Sequence, residues 1–191
     1  MNAASRALLE TGFRVARFEF GYMAARREGR RKPPPRAETL IPEYHAAIEA
    51  LTRKGPLIIG GKSMGGRVAS MLADEQFHKG AIAGLLCLGY PFHPPAKPAQ
   101  LRIPHLHDMK TPALICQGTR DPFGMRDEIT GLALSPSIEI HWLEDGDHDL
   151  KPRKSITGLS ATNHLQTMAI SAAKWIDRIA PARVTNAESE R

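Results

Sequence analysis

Apolar and polar positions alternate along the chain with two different periods. Residues 3–11 carry helical spacing that ends at Gly12, and residues 13–18 then alternate in the manner of a strand. Beyond them, short apolar runs of strand length are separated by stretches of helical spacing. The predicted strands are 57–59, 84–88, 113–117 and 138–143, and the predicted helices are 40–51, 65–74, 127–134 and 164–179.

Apolar strands separated by helices predict a parallel sheet with helices on both faces, because each crossover places a helix against the sheet. The predicted fold class is therefore α/β, with a doubly wound, mostly parallel sheet. We expect one domain over residues 1–180 and a flexible polar tail over 181–191. In such folds active sites lie at the carboxyl ends of the strands, so candidate catalytic residues are expected just after each strand. The proline-rich connection 91–104 is a candidate cap or pocket wall.

Composition excludes several classes of partner. The 191 residues are 42% hydrophobic, without the run of about 18 apolar residues that a membrane helix needs. The first residues lack the pattern of a signal peptide, so we expect a cytoplasmic protein without a membrane partner. The formal charge of +6 comes largely from residues 26–32, which run into three prolines. A solvated loop is favoured there over a phosphate-binding patch, and no nucleic-acid partner is expected.

The two cysteines, Cys87 and Cys116, each lie inside an apolar run that predicts a buried strand. Without a secretion signal they are expected to be reduced, structural thiols. Neither stands at a turn after a strand, where a nucleophile would be presented.

A glycine-rich segment, Gly-Lys-Ser-Met-Gly-Gly over 61–66, lies between a predicted strand and a predicted helix. This is the context of the G-x-S-x-G nucleophile elbow, so Ser63 is the candidate nucleophile. The N–H of Met64 would then point at the developing oxyanion. A phosphate loop is the alternative, but its first glycine would fall on Pro56. A structural Gly-Ser turn stays open as a third interpretation.

A serine hydroxyl needs a histidine to take its proton and an acid to orient that histidine. Asp121 follows the predicted strand 113–117, and His148 follows the strand 138–143. The chain order Ser, Asp, His is that of the G-x-S-x-G hydrolases. Both residues are therefore the candidate partners of Ser63.

Other histidines and acids supply alternatives to this assignment. His45 and His164 fall on predicted helices and are interpreted as surface or packing residues, and three further histidines lie in the proline-rich region, at positions 93, 105 and 107. The acids 145, 147 and 149 beside His148 suggest a metal site, but a solvated loop of exposed acids is favoured. We expect no metal and no cofactor.

With these residues in place, the chain resembles the small bacterial α/β-hydrolases of the dienelactone-hydrolase-like group, in the branch that carries an Arg-Phe-Glu-Phe-x-Tyr-Met segment. The resemblance covers nearly the whole chain. It rests on the segments 17–23, 61–66, 89–95, 117–122 and 146–148. It implies an α/β-hydrolase fold, a triad of Ser63, Asp121 and His148, and a small-molecule acyl substrate.

One departure from these relatives concerns the oxyanion hole. Relatives carry, ahead of the first helix here, a strand ending in a His-Gly-Ala-Gly-like loop that supplies a second N–H. This sequence has no such segment, so either its start lies late relative to those relatives or it lacks that strand. Loss of one donor typically costs about 10²–10³-fold in turnover. A missing strand would also expose an apolar sheet edge that a second chain, in a dimer, would cover.

Two classes of function follow from these observations. The first is a serine hydrolase that cleaves an ester, a thioester or a lactone through an acyl-enzyme. The second is an interaction module with little or no catalysis, because the same branch includes eukaryotic relatives in chromatin-associated assemblies. Four residues after predicted strand ends are candidates for the substrate pocket or, equally, for packing: Tyr22, Met23, Tyr90 and Phe92.

Overall fold

The computed structural model describes residues 1–29, 33–51 and 55–180. A four-stranded parallel sheet lies at its centre, with the strands in chain order β1-β2-β3-β4. The strands are β1 (Ile58–Lys62), β2 (Gly84–Leu88), β3 (Ala113–Gly118) and β4 (Ile138–Leu143). The expectations for the basic residues 30–32 and for the tail 181–191 concern parts of the chain outside the described residues.

Helices cover both faces of the sheet. They are α1 (Asn2–Glu10), α2 (Gly21–Arg27), α3 (Ile41–Glu49), α4 (Met64–His78), α5 (Arg126–Ile129), α6 (Lys154–Thr157) and α7 (Ala161–Ile179), and short 3₁₀ turns lie at Ala37–Leu40 and Pro104–Leu106. On one face, side chains of α3 and α4 pack with Leu85 and Ile115; on the other, side chains of α1 and α7 pack with Leu86 and Leu114. The predicted doubly wound α/β class is confirmed.

The middle strands are apolar because both of their faces are covered. Every residue of β2 and β3 is buried, so successive side chains along each strand enter opposite cores. Cys87 and Cys116 are buried free thiols within these strands. Burial raises the pKa of both thiols, that of Cys116 to about 12. The interpretation of the cysteines as structural thiols agrees with this placement.

The predicted strand over residues 13–18 is wrong. The segment carries no strand hydrogen bonds, and the next element is α2, which the hydrophobic pattern did not predict. Alternating side chains allow a strand, but a strand forms only where another backbone pairs with it. A groove separates residues 13–20 from β1, and in the described chain β1 pairs only with β2.

The outer edge of β1 is partly covered by a side chain. The hydroxyl of Tyr44, on α3, donates to the carbonyl oxygen of Gly60 at 2.5 Å and accepts from the Gly60 amide at 2.9 Å. Burial raises the pKa of this phenol above its usual range. Within the described ranges, no helix is long and apolar enough to cross a membrane.

Candidate active site

Ser63 occupies the tight turn between β1 and α4. Its backbone has φ 51° and ψ −117°, a conformation that non-glycine residues rarely adopt and that costs about 1–3 kcal/mol. The surrounding glycines permit the turn: a Cβ on Gly61 would lie 2.8 Å from the backbone carbon of Gly65, and one on Gly66 would lie 2.7 Å from the carbonyl oxygen of Gly61. Helix α4 begins at Met64, so its first amide groups are left for a ligand at this end.

Asp121 lies in the loop after β3 and is fully buried. Its carboxylate accepts hydrogen bonds from one donor on its own loop and one at the end of β3. The backbone amide of Phe123 donates to Oδ1 at 2.9 Å, and the side-chain amide of Gln117 donates to Oδ2 at 3.0 Å. A buried carboxylate needs such donors because it has given up its hydration.

His148 lies in the loop after β4 and connects the other two residues. Its Nδ1 is 2.9 Å from Asp121 Oδ2, and its Nε2 is 2.9 Å from Ser63 Oγ. The Phe123 ring lies beside the imidazole, with the ring centroids 4.2 Å apart. The structure thus brings together the three predicted residues from three strand ends, although they are far apart in the chain.

The loop that carries His148 is held by an ion pair between a buried carboxylate, that of Asp145, and the exposed guanidinium of Arg153. Asp145 is 7% exposed, and its carboxylate accepts hydrogen bonds from the guanidinium and the backbone amide of Arg153. Its backbone amide donates to Thr119 Oγ1 at 2.8 Å. The bonds from Arg153 lower the pKa of Asp145 to about 2. The prediction of a solvated loop of exposed acids is wrong for Asp145.

A second ion pair lies at the mouth of the site. Lys62 precedes Ser63 and Asp149 follows His148, and the Lys62 ammonium is 2.7 Å from Asp149 Oδ1. The hydrogen bond from Lys62 lowers the pKa of the Asp149 carboxyl. The pair therefore links the end of β1 to the loop that carries His148. Within the described residues, no group of three or more His, Cys, Asp or Glu side chains is arranged to hold a metal ion.

The other candidate histidines have partners elsewhere. His164 is buried on α7 and pairs with the carbonyl oxygen of Leu150 at 3.0 Å, in keeping with its interpretation as a packing residue. His93 lies 3.2 Å from a carboxylate oxygen of Glu128. His105 Nε2 lies 2.9 Å from the hydroxyl of Ser70, which is buried on α4.

A groove of about 2040 Å³ runs along β1 and includes Ser63 and Met64 in its wall. Tyr22 and Met23 line the groove, as do Pro91 and Arg102 from the proline-rich connection. Burial raises the pKa of the Tyr22 phenol, and the nearby Arg26 guanidinium partly opposes that increase. The proline-rich connection therefore contributes to the pocket wall.

Tyr90 and Phe92 have a different position from Tyr22 and Met23. Both are fully buried in the core, with their rings in edge-to-face contact at 4.9 Å. Neither side chain has surface that a substrate can contact, so for these two the pocket assignment is wrong and the packing interpretation holds. The reason is the turn at Gly89, which has φ 60° and directs the following residues back into the core.

Sequence reasoning did not assign roles to two residues beside the three-residue cluster. The sequence pattern predicts Gln117 only as the end of a strand, although an amide at the end of an otherwise apolar strand indicates a buried polar contact. Gly89 follows β2 directly, and a Cβ on it would lie 2.8 Å from the carbonyl oxygen of His148. Both residues shape the surroundings of Asp121 and His148.

The α/β-hydrolase class is defined by a parallel sheet with a serine in a strand-to-helix turn, an acid after a later strand and a histidine after the last strand. This chain has that organisation. A family model described as an alpha/beta hydrolase domain matches residues 1–177, and the chain belongs to that family. Family membership makes the chain an alpha/beta hydrolase domain and supports a hydrolase activity. It does not assign the dienelactone-hydrolase-like branch, which stays a prediction.

A solved structure also resembles the chain. The crystal structure of the esterase domain from a Rhodothermus marinus protein aligns with a TM-score of 0.56 at 17% sequence identity. The alignment covers 93% of this chain and 78% of that one. At this identity the likeness concerns the fold.

Proposed function

We propose that this protein is a serine hydrolase that cleaves a carboxylic ester, a thioester or a lactone through Ser63, His148 and Asp121. The observation that supports the proposal is the continuous set of contacts from Ser63 Oγ to His148 Nε2 at 2.9 Å and from His148 Nδ1 to Asp121 at 2.9 Å. A hydroxyl becomes a useful nucleophile only when a base in this position takes its proton.

In the proposed mechanism, Ser63 Oγ attacks the substrate carbonyl carbon while its proton passes to His148 Nε2. The carbonyl oxygen becomes an oxyanion, toward which the Met64 amide donates a hydrogen bond. The protonated His148 then gives its proton to the leaving oxygen or sulfur, and the acyl group stays on Ser63. Water repeats both steps and releases the acid. Asp121 accepts the Nδ1–H bond throughout and orients the ring.

The strained turn supports the same assignment. Ser63 holds a positive φ that costs free energy, and such strain is retained where the surrounding structure requires the conformation. Here the turn lifts the hydroxyl away from the strand and toward His148. A serine with only a structural role in a turn has no need of this contact with a buried His–Asp pair.

Labelling with a fluorophosphonate probe, followed by mass spectrometry, tests the nucleophile. We expect labelling of Ser63 in the native protein and none in Ser63→Ala. The matched control is Ser171→Ala, because the Ser171 hydroxyl also lies near a histidine, 3.2 Å from His141 Nε2, but on α7. Labelling that persists in Ser63→Ala would contradict the proposal.

Turnover separates the substrate classes. We expect release of acid from at least one of three reporter series, which are 4-nitrophenyl esters, acyl thioesters and small lactones. Ser63→Ala and His148→Ala should each abolish it, because the two residues act as one unit. Activity that survives in both variants would place the chemistry elsewhere.

An interaction module is the second candidate function. It is favoured by the groove along β1, a strand that pairs on one side only within the described chain. Unpaired strand edges bind other extended segments. A folded protein that is neither labelled nor active on any reporter would favour this candidate over the hydrolase.

A further inference from the structure

The groove beside Ser63 is rich in positive charge. Among the residues that the structure describes, its wall holds two carboxylates, those of Glu19 and Asp177. It also holds a larger set of cationic side chains, namely Arg14, Arg17, Arg27, Arg36, Lys62, Arg67 and Arg102. A concave surface with one prevailing sign of charge concentrates ligands of the opposite sign.

Several of these cations already have a carboxylate partner. Arg27 pairs with Glu19, and Lys62 pairs with Asp149. Arg67 lies 3.2 Å from a carboxylate oxygen of Glu38, which is about half exposed. Among the described residues, Arg102 has no carboxylate within ion-pair distance.

Arg67 and Arg102 line the same groove, and their positive charges repel one another. Partial burial lowers the pKa of the Arg102 guanidinium, and the charge of Arg67 lowers it further. The same Arg67 charge contributes, after burial, to a lowered pKa of His105. Arg67 Nε is also buried without a hydrogen-bond partner among the described residues. Two guanidinium groups in one groove, one of them with an unused donor, are stabilised when an anion binds both.

The position of Arg67 relates this pair to the candidate nucleophile. Arg67 is one helical turn beyond Ser63 on α4, and its backbone amide donates to the Ser63 carbonyl oxygen at 3.0 Å. One turn advances about 5.4 Å along the axis, and Ser63 and Arg67 both line the groove, so one substrate in the groove can contact both residues. Arg102 reaches the same groove from the proline-rich connection.

We propose that Arg67 and Arg102 form an anion subsite that binds a carboxylate on the substrate while Ser63 attacks its ester or thioester carbonyl. This proposal rests on the proposed function and narrows its substrate class. Arg67 and Arg102 carry two positive charges and Glu38 offsets one, so the site matches a singly charged carboxylate better than a phosphate dianion. Planar guanidinium groups also fit the two oxygens of a carboxylate.

Rates on matched esters test the subsite. Mono-4-nitrophenyl glutarate ends in a carboxylate, and 4-nitrophenyl pentanoate is its neutral counterpart. We expect the ratio of their kcat/KM values, glutarate over pentanoate, to fall about 10- to 100-fold in Arg102→Gln, as expected for lost charge-assisted hydrogen bonds. Arg102→Lys should recover part of the ratio. The control is Arg178→Gln, on α7 and paired with Glu139, which should leave the ratio unchanged.

A binding measurement keeps this test independent of turnover. Isothermal titration calorimetry with glutarate, at fixed ionic strength, uses Ser63→Ala as the common background. We expect binding to Ser63→Ala alone and with the control Arg178→Gln added. Binding should be weaker when Arg102→Gln is added instead. Binding with no turnover in the wild type would support the subsite and count against the hydrolase. Equal rate ratios and equal binding in all variants would overturn the subsite. Tighter binding of inorganic phosphate than of glutarate would overturn the choice of a carboxylate.

A separate observation concerns Gln117, whose buried amide holds two loops together. Its Oε1 accepts from the Tyr90 amide at 2.7 Å, and its Nε2 lies 3.0 Å from Asp121 Oδ2 and 3.2 Å from the carbonyl oxygen of Gly124. Asp121 Oδ2 is also the oxygen nearest to His148 Nδ1. We infer that Gln117 is a positioning residue, which fixes the Asp121 carboxylate in the orientation that His148 requires.

The variants Gln117→Met and Gln117→Glu test this role. Without the amide donor, more of the Asp121 charge acts on the imidazolium form of His148, and an ionised glutamate adds to it. We expect the acid limb of the kcat/KM–pH profile to move to higher pH, by about one unit for Gln117→Glu. Gln76→Glu, at a buried glutamine on α4, is the control for structural damage and should leave that limb in place.

Nuclear magnetic resonance provides the readout that needs no turnover. The titration of the His148 ring signals should move in the same direction as the acid limb in both Gln117 variants. If the ring titrates unchanged in Gln117→Glu and Gln117→Met, the role of Gln117 is only structural and the inference is wrong. If the ring titration moves but the protein hydrolyses none of the reporters, Gln117 does position Asp121 beside His148, and only the proposed function is wrong.

Discussion

Gly89 leaves the space that His148 occupies. A Cβ built on Gly89 would lie 2.8 Å from the carbonyl oxygen of His148 and 3.5 Å from Asp121 Oδ2. Gly89 directly follows β2 and has φ 60°, so both its conformation and its surroundings favour glycine. The close approach of β2 to the His148 loop therefore requires a residue without a side chain at position 89.

Gly89→Ala should displace His148 from Ser63. The added methyl group meets a backbone oxygen, which cannot rotate away, so the loop itself must shift. A shift of about 1 Å at a reacting group lowers turnover by about 10²-fold. We expect kcat to fall by about that factor, measured on the best reporter ester, with a similar slowing of fluorophosphonate labelling.

Gly80→Ala is the matched control for backbone strain. Gly80 has φ 66°, close to that of Gly89, but a Cβ there would have no heavy atom within 4 Å. Both variants carry the strain of a positive φ, about 1 kcal/mol, and only Gly89→Ala crowds the site. Equal losses of kcat in the two variants would mean that strain, and not contact with His148, is responsible.

The two middle strands were predictable because burial on both faces leaves a continuous apolar run. The predicted strands 84–88 and 138–143 have the bounds of β2 and β4, and 57–59 differs from β1 only by a few residues. The same reasoning failed at 13–18. There the alternation is present but no neighbouring backbone pairs with it, and pairing is a property of the fold that a local pattern does not contain.

The candidate site was predictable where position after a strand decides it. Ser63, Asp121 and His148 each follow a strand, so parallel strands carry them to the same edge of the sheet. Side-chain direction was not predictable: Tyr90 also follows a strand, yet the positive φ of Gly89 sends it into the core. The contacts of Gln117 depend on packing between loops that the sequence places far apart.

The buried thiols should be unreactive in the native protein. The thiolate is the reactive form, and burial raises the pKa of Cys116 to about 12 and that of Cys87 above its usual range. With Ellman's reagent at pH 8 we expect no rapid colour from the native protein and two equivalents after unfolding in urea. Ser63→Cys supplies the positive control, because a thiol at this partly exposed turn should react as a third equivalent. Rapid reaction of the unmodified native protein would show that the sheet opens.

The Asp145–Arg153 pair predicts how stability depends on pH. Hydrogen bonds from Arg153 lower the pKa of Asp145 from 3.8 to about 2. A depressed carboxyl pKa means that the unfolded chain takes up the proton first as pH falls. The stabilisation is therefore complete above about pH 5, and it is lost progressively between about pH 4 and pH 2.

Asp145→Asn removes the titrating group, so its effect should depend on pH. We expect a lower urea midpoint than in the wild type at pH 6, and a gap between the two proteins that narrows as pH falls toward 2. Arg153→Gln should lower the midpoint in the same way, and the double variant should lose little more than either single one, because both remove one interaction. A gap that stays constant from pH 6 to pH 2 would mean that Asp145 stabilises the His148 loop through its shape alone and not through its charge.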